Sequence, residues 1–206
     1  MSISSQDKAQ AFRQQVERKI QGLLEEFSAG KLNREQFNVL YERYSGQLQL
    51  AQQALMSGNA AALDRASGES STIAIKQAHM GKAVGLVIYQ NRTGMSIETL
   101  GDFDVSAFVI SPILNDFSLM METQRVIEHR VEALDGKRWL LFVGGRFTTV
   151  VTLFHNEPSP MQINEIRRLH NDFEIANHGL LEKGQLDSKQ MAYPFMVFVQ
   201  KKLKRT

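Results

Sequence analysis

The sequence predicts an α+β protein in which an antiparallel two-helix hairpin precedes a five-stranded antiparallel sheet covered by helices. Two patterns predict this class. Up to about residue 57, apolar residues recur at steps of three and four, the spacing of amphipathic helices. Beyond about residue 82, short β-branched and aromatic runs alternate with turn-forming clusters, which is typical of antiparallel strands.

The first helix is predicted over residues 7–29, where the apolar side chains form a single stripe on an otherwise polar surface. Gly30 follows at the position where a left-handed C-terminal cap is favoured. Asn33 and Gln36 then have the spacing of a capping box, so a second helix is predicted to begin directly after Asn33. A turn this short predicts that the two helices lie antiparallel.

The second helix carries apolar residues at alternating steps of four and three, the pattern of a heptad seam. The residues of this predicted seam are Phe37, Tyr41, Tyr44, Leu48, Ala51 and Leu55. A two-helix hairpin is too small to be stable alone. The seam is therefore expected either to serve a structural arm or to bind a second copy or another partner.

Residues 58–71 are small, polar and glycine-bearing, which is typical of a linker. We therefore expect a hairpin at 1–57, a linker at 58–71 and an α+β domain with a C-terminal extension at 72–206. Residues 72–80 favour a short helix leading into the sheet. Strands are predicted at 83–89 and 95–100, joined by a turn at 91–94.

The remaining strands are predicted as a three-stranded meander spanning residues 131–155. Asp135-Gly136 and Gly144-Gly145 are predicted to form two-residue turns with positive φ. Before the meander, Ser111 and Pro112 are predicted to begin a helix that ends near residue 129.

After the meander, Ser159 and Pro160 are predicted to begin a closing helix that Gly179 caps. The apolar segment 191–199 then precedes a basic end, Lys201-Lys202-Leu203-Lys204-Arg205. The favoured interpretation is that the apolar segment packs on the domain. The alternative is an anchor to a partner or to a membrane surface, with weak contact to anionic headgroups through the basic C-terminus.

The order strand-strand-helix-strand-strand-strand-helix resembles the profilin-like architecture of roadblock and longin domains. The strand at 85–88, the Gly94 turn, the two glycine hairpins and the closing helix carry the resemblance, which covers about residues 72–179. It implies a non-catalytic module that dimerises and scaffolds or regulates small Ras-like GTPases. The N-terminal hairpin and the extension after Gly179 depart from that pattern. The same order also fits a GAF- or PAS-like sensor of small molecules.

No residue pattern indicates catalysis or a cofactor. Gly144-Gly145 lies between two strands, so it lacks the helix N-terminus of a phosphate-binding loop. His170, Glu174 and His178 are the best metal candidates, but eight residues of helix separate the histidines by about 12 Å. The trio is therefore interpreted as a solvated helix edge, and no catalytic, cofactor-binding or metal-binding residue is assigned.

From the sequence as a whole, we expect a non-enzymatic interaction or scaffold protein of the cytoplasm. The chain has 206 residues and no cysteine, which fits a reducing compartment. The N-terminus lacks the pattern of a secretory signal, and no apolar run is long enough to span a bilayer. Basic and acidic residues are interleaved near the meander, so nucleic-acid binding is not expected. A homodimer and a protein partner such as a small GTPase are the expected assemblies.

Overall fold

The computed structural model describes residues 5–58, 63, 71–122, 129–184 and 186–196, apart from the side chains of 120–122. Its elements, in chain order, are α1 (Ser5–Ser28), α2 (Arg34–Ser57), α3 (Thr72–Ala78), β1 (Lys82–Gln90), β2 (Ser96–Gly101), α4 (Ala107–Glu122), β3 (His129–Ala133), β4 (Arg138–Gly144), β5 (Thr148–His155), α5 (Pro160–Ala176), α6 (His178–Glu182) and a short 3₁₀ turn (Ser188–Gln190).

The five strands form one antiparallel sheet in the order β2-β1-β5-β4-β3. This confirms the predicted fold class, with two N-terminal helices before a five-stranded antiparallel sheet. The strand β5 is central, and residues 148–154 of it are all buried. Because successive side chains of a strand point to opposite faces, both faces of the sheet must be covered.

One face of the sheet is covered by α5, α6 and the C-terminal segment, and the opposite face by α4. The buried residues of the first cluster are Leu86, Ile88, Leu141, Val143, Val150, Phe154, Ile166, Leu169, Phe173, Leu181, Met191 and Phe195. Those of the second are Ile110, Phe117, Leu140, Phe142, Val151 and Leu153. Each cluster packs aromatic rings, such as Phe117 against Phe142 at 6.4 Å between centroids.

Both connections within the meander are longer than the predicted two residues. Residues 134–137 join β3 to β4, and residues 145–147 join β4 to β5. Gly136 has the expected positive φ of 54°. Gly144 and Gly145 do not adopt positive φ, so the prediction of a primed turn there was wrong. A glycine is required at position 145 because the Glu174 side chain of α5 approaches it closely, as described below.

The prediction that α4 starts at Ser111-Pro112 was also wrong, because the helix begins at Ala107 and Pro112 lies inside it. The extra first turn brings Ile110 into the core, where it is 2% exposed. Burying that side chain offsets part of the cost of a proline within a helix. Residues 123–128, over which the helix was predicted to continue, lie outside the described residues.

The chain divides into two compact units, a hairpin unit (Met1–Met80 with Ser159–Met161) and a sheet unit (Gly81–Pro158 with Gln162–Thr206). The helix α3, which the sequence analysis grouped with the sheet, belongs to the hairpin unit. Most of the predicted linker, 59–62 and 64–70, lies outside the described residues. Gly58 caps α2 in the left-handed conformation, with φ 71°.

The capping box of α2 is present as predicted, and it also holds the end of α3. Asn33 accepts a hydrogen bond from the Gln36 backbone N–H at 2.8 Å, and Gln36 accepts one from the Asn33 N–H at 3.0 Å. The Asn33 side-chain amide donates to the His79 carbonyl, and that of Gln36 donates to the Lys76 carbonyl. Two side chains thus satisfy backbone groups of two helix ends, which attaches α3 to the hairpin.

The residues buried along α2 differ from the predicted seam. They are Gln36, Leu40, Tyr44, Gln47, Ala51 and Ala54. Tyr44 and Ala51 belong to both sets, whereas Tyr41 is 44% exposed. The third helix explains part of the difference, because Ile75 of α3 packs into the same cluster as Leu40, whereas Ala54 packs in a second cluster with Ala9. A helix covered by two neighbours buries a wider face than a two-helix seam.

The C-terminal segment packs on the sheet unit as far as it is described. Phe195 is fully buried and lies 6.0 Å from the Phe173 ring, between centroids. Asn177 fixes the segment, since its side chain accepts from the Ala192 N–H and donates to the Ala192 carbonyl, both at 2.8 Å. Met191 and Phe195 therefore belong to the core, as favoured from the sequence. Residues 197–206, which include the last three residues of the predicted apolar segment and the basic end, lie outside the described residues. The predicted Gly179 cap is wrong, because α5 ends at Ala176 and Gly179 lies within α6.

We expect Asn33→Ala to lower the free energy of unfolding by about 2–3 kcal/mol, since it removes a cap and leaves the His79 carbonyl without its donor. Asn33→Ser should cost less, because a serine hydroxyl still caps α2. Asn38→Ala, at an exposed site of the same helix, is the control and should be near neutral. Urea denaturation followed by circular dichroism measures all three. Equal loss in Asn33→Ser and Asn33→Ala would assign the whole effect to the His79 contact.

Replacing Phe195 by Ala should cost about 3–5 kcal/mol, the range for deleting a buried phenyl ring. The neighbouring Met196 is 39% exposed, so Met196→Ala should cost well under half as much. Thermal and urea unfolding of the two variants make the comparison. A Phe195→Ala protein as stable as the parent would contradict a core role for this segment.

Candidate interaction and anion sites

The three metal candidates do not form a site. His170 Nε2 and Glu174 Oε1 are 3.8 Å apart, but α5 ends at Ala176 and His178 begins α6. His178 lies 3.8 Å from Glu182 and edge-on to the Phe147 ring. Within the described residues, no group of three or more histidine, aspartate or glutamate side chains is placed to bind a metal ion.

The interpretation of the trio as a solvated helix edge holds only for His178. The His170 residue is 2% exposed, and the Glu174 side chain is 14% exposed. Glu174 faces the β4–β5 turn and binds its backbone. Its Oε1 accepts from the N–H groups of Phe147 and Thr148, and its Oε2 accepts from the N–H of Arg146, at 2.8–2.9 Å.

Three consecutive N–H groups that converge on one point form an anion-binding nest. Here the nest is filled by the carboxylate of the chain itself, so the turn attaches α5 to the sheet. The Thr148 hydroxyl adds a fourth donor at 2.8 Å. Because that hydroxyl donates to Glu174, it accepts the hydrogen bond from His170 Nε2, also at 2.8 Å. His170 is therefore assigned as the neutral Nε2–H tautomer.

This network explains the second glycine of Gly144-Gly145. A Cβ atom at position 145 would lie 2.5–2.7 Å from the Glu174 carboxylate. No side chain fits in that space unless the carboxylate leaves the nest. The sequence pattern assigned both glycines to a turn, because the cause of Gly145 lies 29 residues away on another element.

Burial lowers the pKa of His170 to about 4, although the nearby Glu174 carboxylate favours the charged form. The desolvation cost of an imidazolium inside the sheet unit exceeds the attraction of a carboxylate already bound by four donors. His170 is therefore neutral near pH 7, in agreement with the tautomer.

Two clefts lie beside the β4–β5 turn. The helix cleft, about 430 Å³, is lined by Asn164, Arg167, Arg168 and Asn171 of α5 together with Gly145 and its neighbours. The turn cleft, about 270 Å³, lies between the β1–β2 turn, the β4–β5 turn and the end of α6. Three cationic side chains line the turn cleft, namely Arg92, Arg146 and Lys183.

Two of the basic residues that the sequence places near the meander, Arg130 and Arg138, have acidic partners. Arg138 is bound to Asp135 through two nitrogens, at 2.6 and 2.7 Å, and this ion pair holds the pKa of Asp135 below its usual range. Arg130 pairs with Glu132 and lies 3.8 Å from Asp116. Lys137 and Arg146 form no ion pair with an acidic residue in the part of the chain that the structure describes. Arg125 and Glu128 lie outside them, and the expectation of no nucleic-acid binding stays a prediction.

The face of α4 turned away from the sheet carries exposed apolar side chains. Phe108 is 92% exposed and Leu119 61%, and Val109, on the flank of the helix, is 41% exposed. Phe108 and Leu119 are eleven residues apart, so they lie on nearly the same line along the helix. Sequence reasoning missed this surface because it started the helix after Phe108 and Val109.

The comparisons with known proteins give no family. No sequence profile of a known family matches the chain, and no curated protein or solved structure is significantly similar to it. Within the described residues, no helix combines the length and apolar character needed to cross a membrane.

The pKa of His170 predicts a pH dependence of stability. A histidine whose pKa is about 4 when folded and about 6.5 when unfolded takes up its proton more readily in the unfolded chain. The stabilisation that neutral, buried His170 provides is therefore complete above pH 6.5. As the pH drops from 6.5 towards 4, the free energy of unfolding should fall by up to about 1.4 kcal/mol per pH unit.

Denaturant unfolding at several pH values tests this dependence. His170→Gln should remove most of the slope between pH 6.5 and 4, whereas His178→Gln, at a half-exposed site, should keep it. An unchanged slope in His170→Gln would contradict the assignment of the acid sensitivity to His170.

Proposed function

We propose that this chain is a non-catalytic interaction or scaffold protein that forms a homodimer through α4 and the edge strand β3. The observation that carries the proposal is the exposed apolar surface of α4 beside a strand with no outer neighbour among the described strands. Exposed apolar surface of this kind marks interaction sites, and an open strand edge is a template for pairing.

The helix α4 packs on one face of the sheet, close to the edge strand β3. Arg130 and Glu132 of β3 are opposite Phe142 and Leu140 of β4, whose side chains pack against α4. Arg130 also lies 3.8 Å from Asp116 of α4. Val109 is two helical turns before Asp116 and therefore points to the same side, towards β3. A partner on the β3 edge would meet both elements.

The sequence of β3 favours a second copy of the chain as that partner. In an antiparallel pair centred on Val131, Arg130 of one copy lies opposite Glu132 of the other, and the reverse pair repeats by symmetry. Opposite charges thus face each other twice across a two-fold axis. The two α4 helices then lie on the same face, where they can cover each other's apolar surface.

The resemblance to roadblock and longin domains supports the same proposal, because the helix–strand order on which it was based occurs in the described elements. It implies dimerisation and a small Ras-like GTPase as a candidate partner, in the cytoplasm. The GAF- or PAS-like sensor ranks second. A sensor needs a ligand enclosed between sheet and helices, and those positions hold Phe117 and Phe142 on one face and Phe154 and Phe173 on the other.

A charge swap tests the dimer. Arg130→Glu places like charges opposite each other twice, so we expect the dimer dissociation constant to rise about tenfold or more. The double variant Arg130→Glu/Glu132→Arg restores opposite charges across the axis and should recover most of the affinity. Arg168→Glu, on an exposed part of α5, is the control for a change of net charge.

Sedimentation equilibrium of the full chain gives the dissociation constants. A monomeric parent at high concentration would sink the proposal. A dimer that weakens in Arg130→Glu without recovery in the double variant would place the interface elsewhere.

A further inference from the structure

We propose that the turn cleft binds the phosphate group of a small molecule or lipid, through Arg92, Arg146 and Lys183. This inference is independent of the proposed dimer, which involves a different part of the sheet unit. The three cations come from the β1–β2 turn, the β4–β5 turn and the residue after α6, so the fold alone brings them together.

The three side chains have no ion pair with any residue that the structure describes. The carboxylate that shares the cleft, Glu182, lies 3.8 Å from His178. The cleft therefore has an excess of positive charge, while the whole chain carries a formal charge of only +2. An anion between the three cations relieves their mutual repulsion.

Asn91, which lines the cleft, joins the two turns. Its backbone N–H donates to the Phe147 carbonyl at 2.9 Å, and its side-chain amide donates to the Gly145 carbonyl at 3.0 Å. Its side-chain oxygen accepts from the Thr149 hydroxyl at 2.7 Å. Since both turns are fixed to each other, Arg92 and Arg146 extend from one rigid platform, which lowers the entropic cost of binding.

Further contacts position the Arg146 side chain and the backbone of Lys183. The Arg146 guanidinium lies 5.0 Å from the centroid of the Phe147 ring. Stacking uses the face of a guanidinium and leaves its N–H edges available to an oxyanion. Lys183 lies two residues after Leu181, which is buried in the core. The Gly184 N–H donates to the Leu181 carbonyl at 3.1 Å, and this hydrogen bond closes the turn that carries Lys183.

Size and charge favour a phosphate group. The volume of about 270 Å³ is just below the range of small-molecule pockets, about 300–1,000 Å³. A phosphate monoester carries up to two negative charges on three acceptor oxygens, which matches a cleft lined by three cations from three separate segments. The same chemistry is offered by a soluble phosphate compound and by an anionic lipid headgroup.

Isothermal titration of the full chain with inorganic pyrophosphate, in low-salt buffer free of phosphate, tests the site. We expect saturable binding of one anion per chain. Arg92→Gln/Lys183→Gln should weaken it about tenfold or more, because both residues are exposed and their loss removes charge without disturbing the core. Lys8→Gln/Arg18→Gln removes the same charge from exposed positions of α1 and should leave the affinity unchanged.

Flotation with vesicles separates the two sources of phosphate. Binding to phosphatidic acid vesicles that the cleft variant loses, the control variant keeps and pyrophosphate competes would identify a headgroup. Pyrophosphate binding without vesicle binding would identify a soluble ligand. The proposal fails if pyrophosphate does not bind saturably, or if both double variants lose affinity equally, since that result indicates a diffuse charge effect.

Discussion

The sheet unit depends on the burial of its central strand. Residues 148–154 of β5 are all buried, so the sheet cannot expose either face to water. This requirement explains the helices on both sides, with α4 on one face and α5, α6 and residues 191–196 on the other. It also explains why the C-terminal segment is part of the core, because Phe195 covers apolar surface that α5 leaves open.

Helices pack on the sheet through apolar contacts, and polar interactions fix the position of α5. Glu174 fixes α5 to the β4–β5 turn through the nest, and Asn177 fixes the end of the same helix to residue 192. Apolar contacts alone tolerate small sliding, whereas a carboxylate bound by three successive N–H groups has one position. The orientation of this turn determines where Arg146 points. One internal interaction thus sets both the packing of α5 and the geometry of the turn cleft.

In the hairpin unit, the equivalent interaction is the capping box of α2. A seven-residue helix such as α3 is too short to be stable by itself. It forms because its last carbonyls are satisfied by Asn33 and Gln36 and because Ile75 packs into the hairpin cluster. An ion pair between Lys76 and Glu26, at 2.5 Å, adds a contact to α1. The helices α1, α2 and α3 of the hairpin unit are thus held by a polar contact at one end and by an apolar cluster.

The sequence by itself determined α1 to α5, the five strands of the sheet and most of the ends of these elements. Periodicity identified α1, α2 and α5, the capping pair Asn33 and Gln36 marked the start of α2, and alternation with turn residues identified the strands. These are local properties, since a cap or a stripe depends on residues a few positions apart. They were sufficient for the fold class.

Tertiary structure alone decided the features that join distant residues. The start of α4 depends on Ile110 reaching the second core cluster, and the buried face of α2 depends on a third helix. Gly145 is a glycine because of Glu174, and Arg92, Arg146 and Lys183 share a cleft although dozens of residues separate them. No local pattern encodes such contacts, because each depends on where the folded chain places two segments relative to each other.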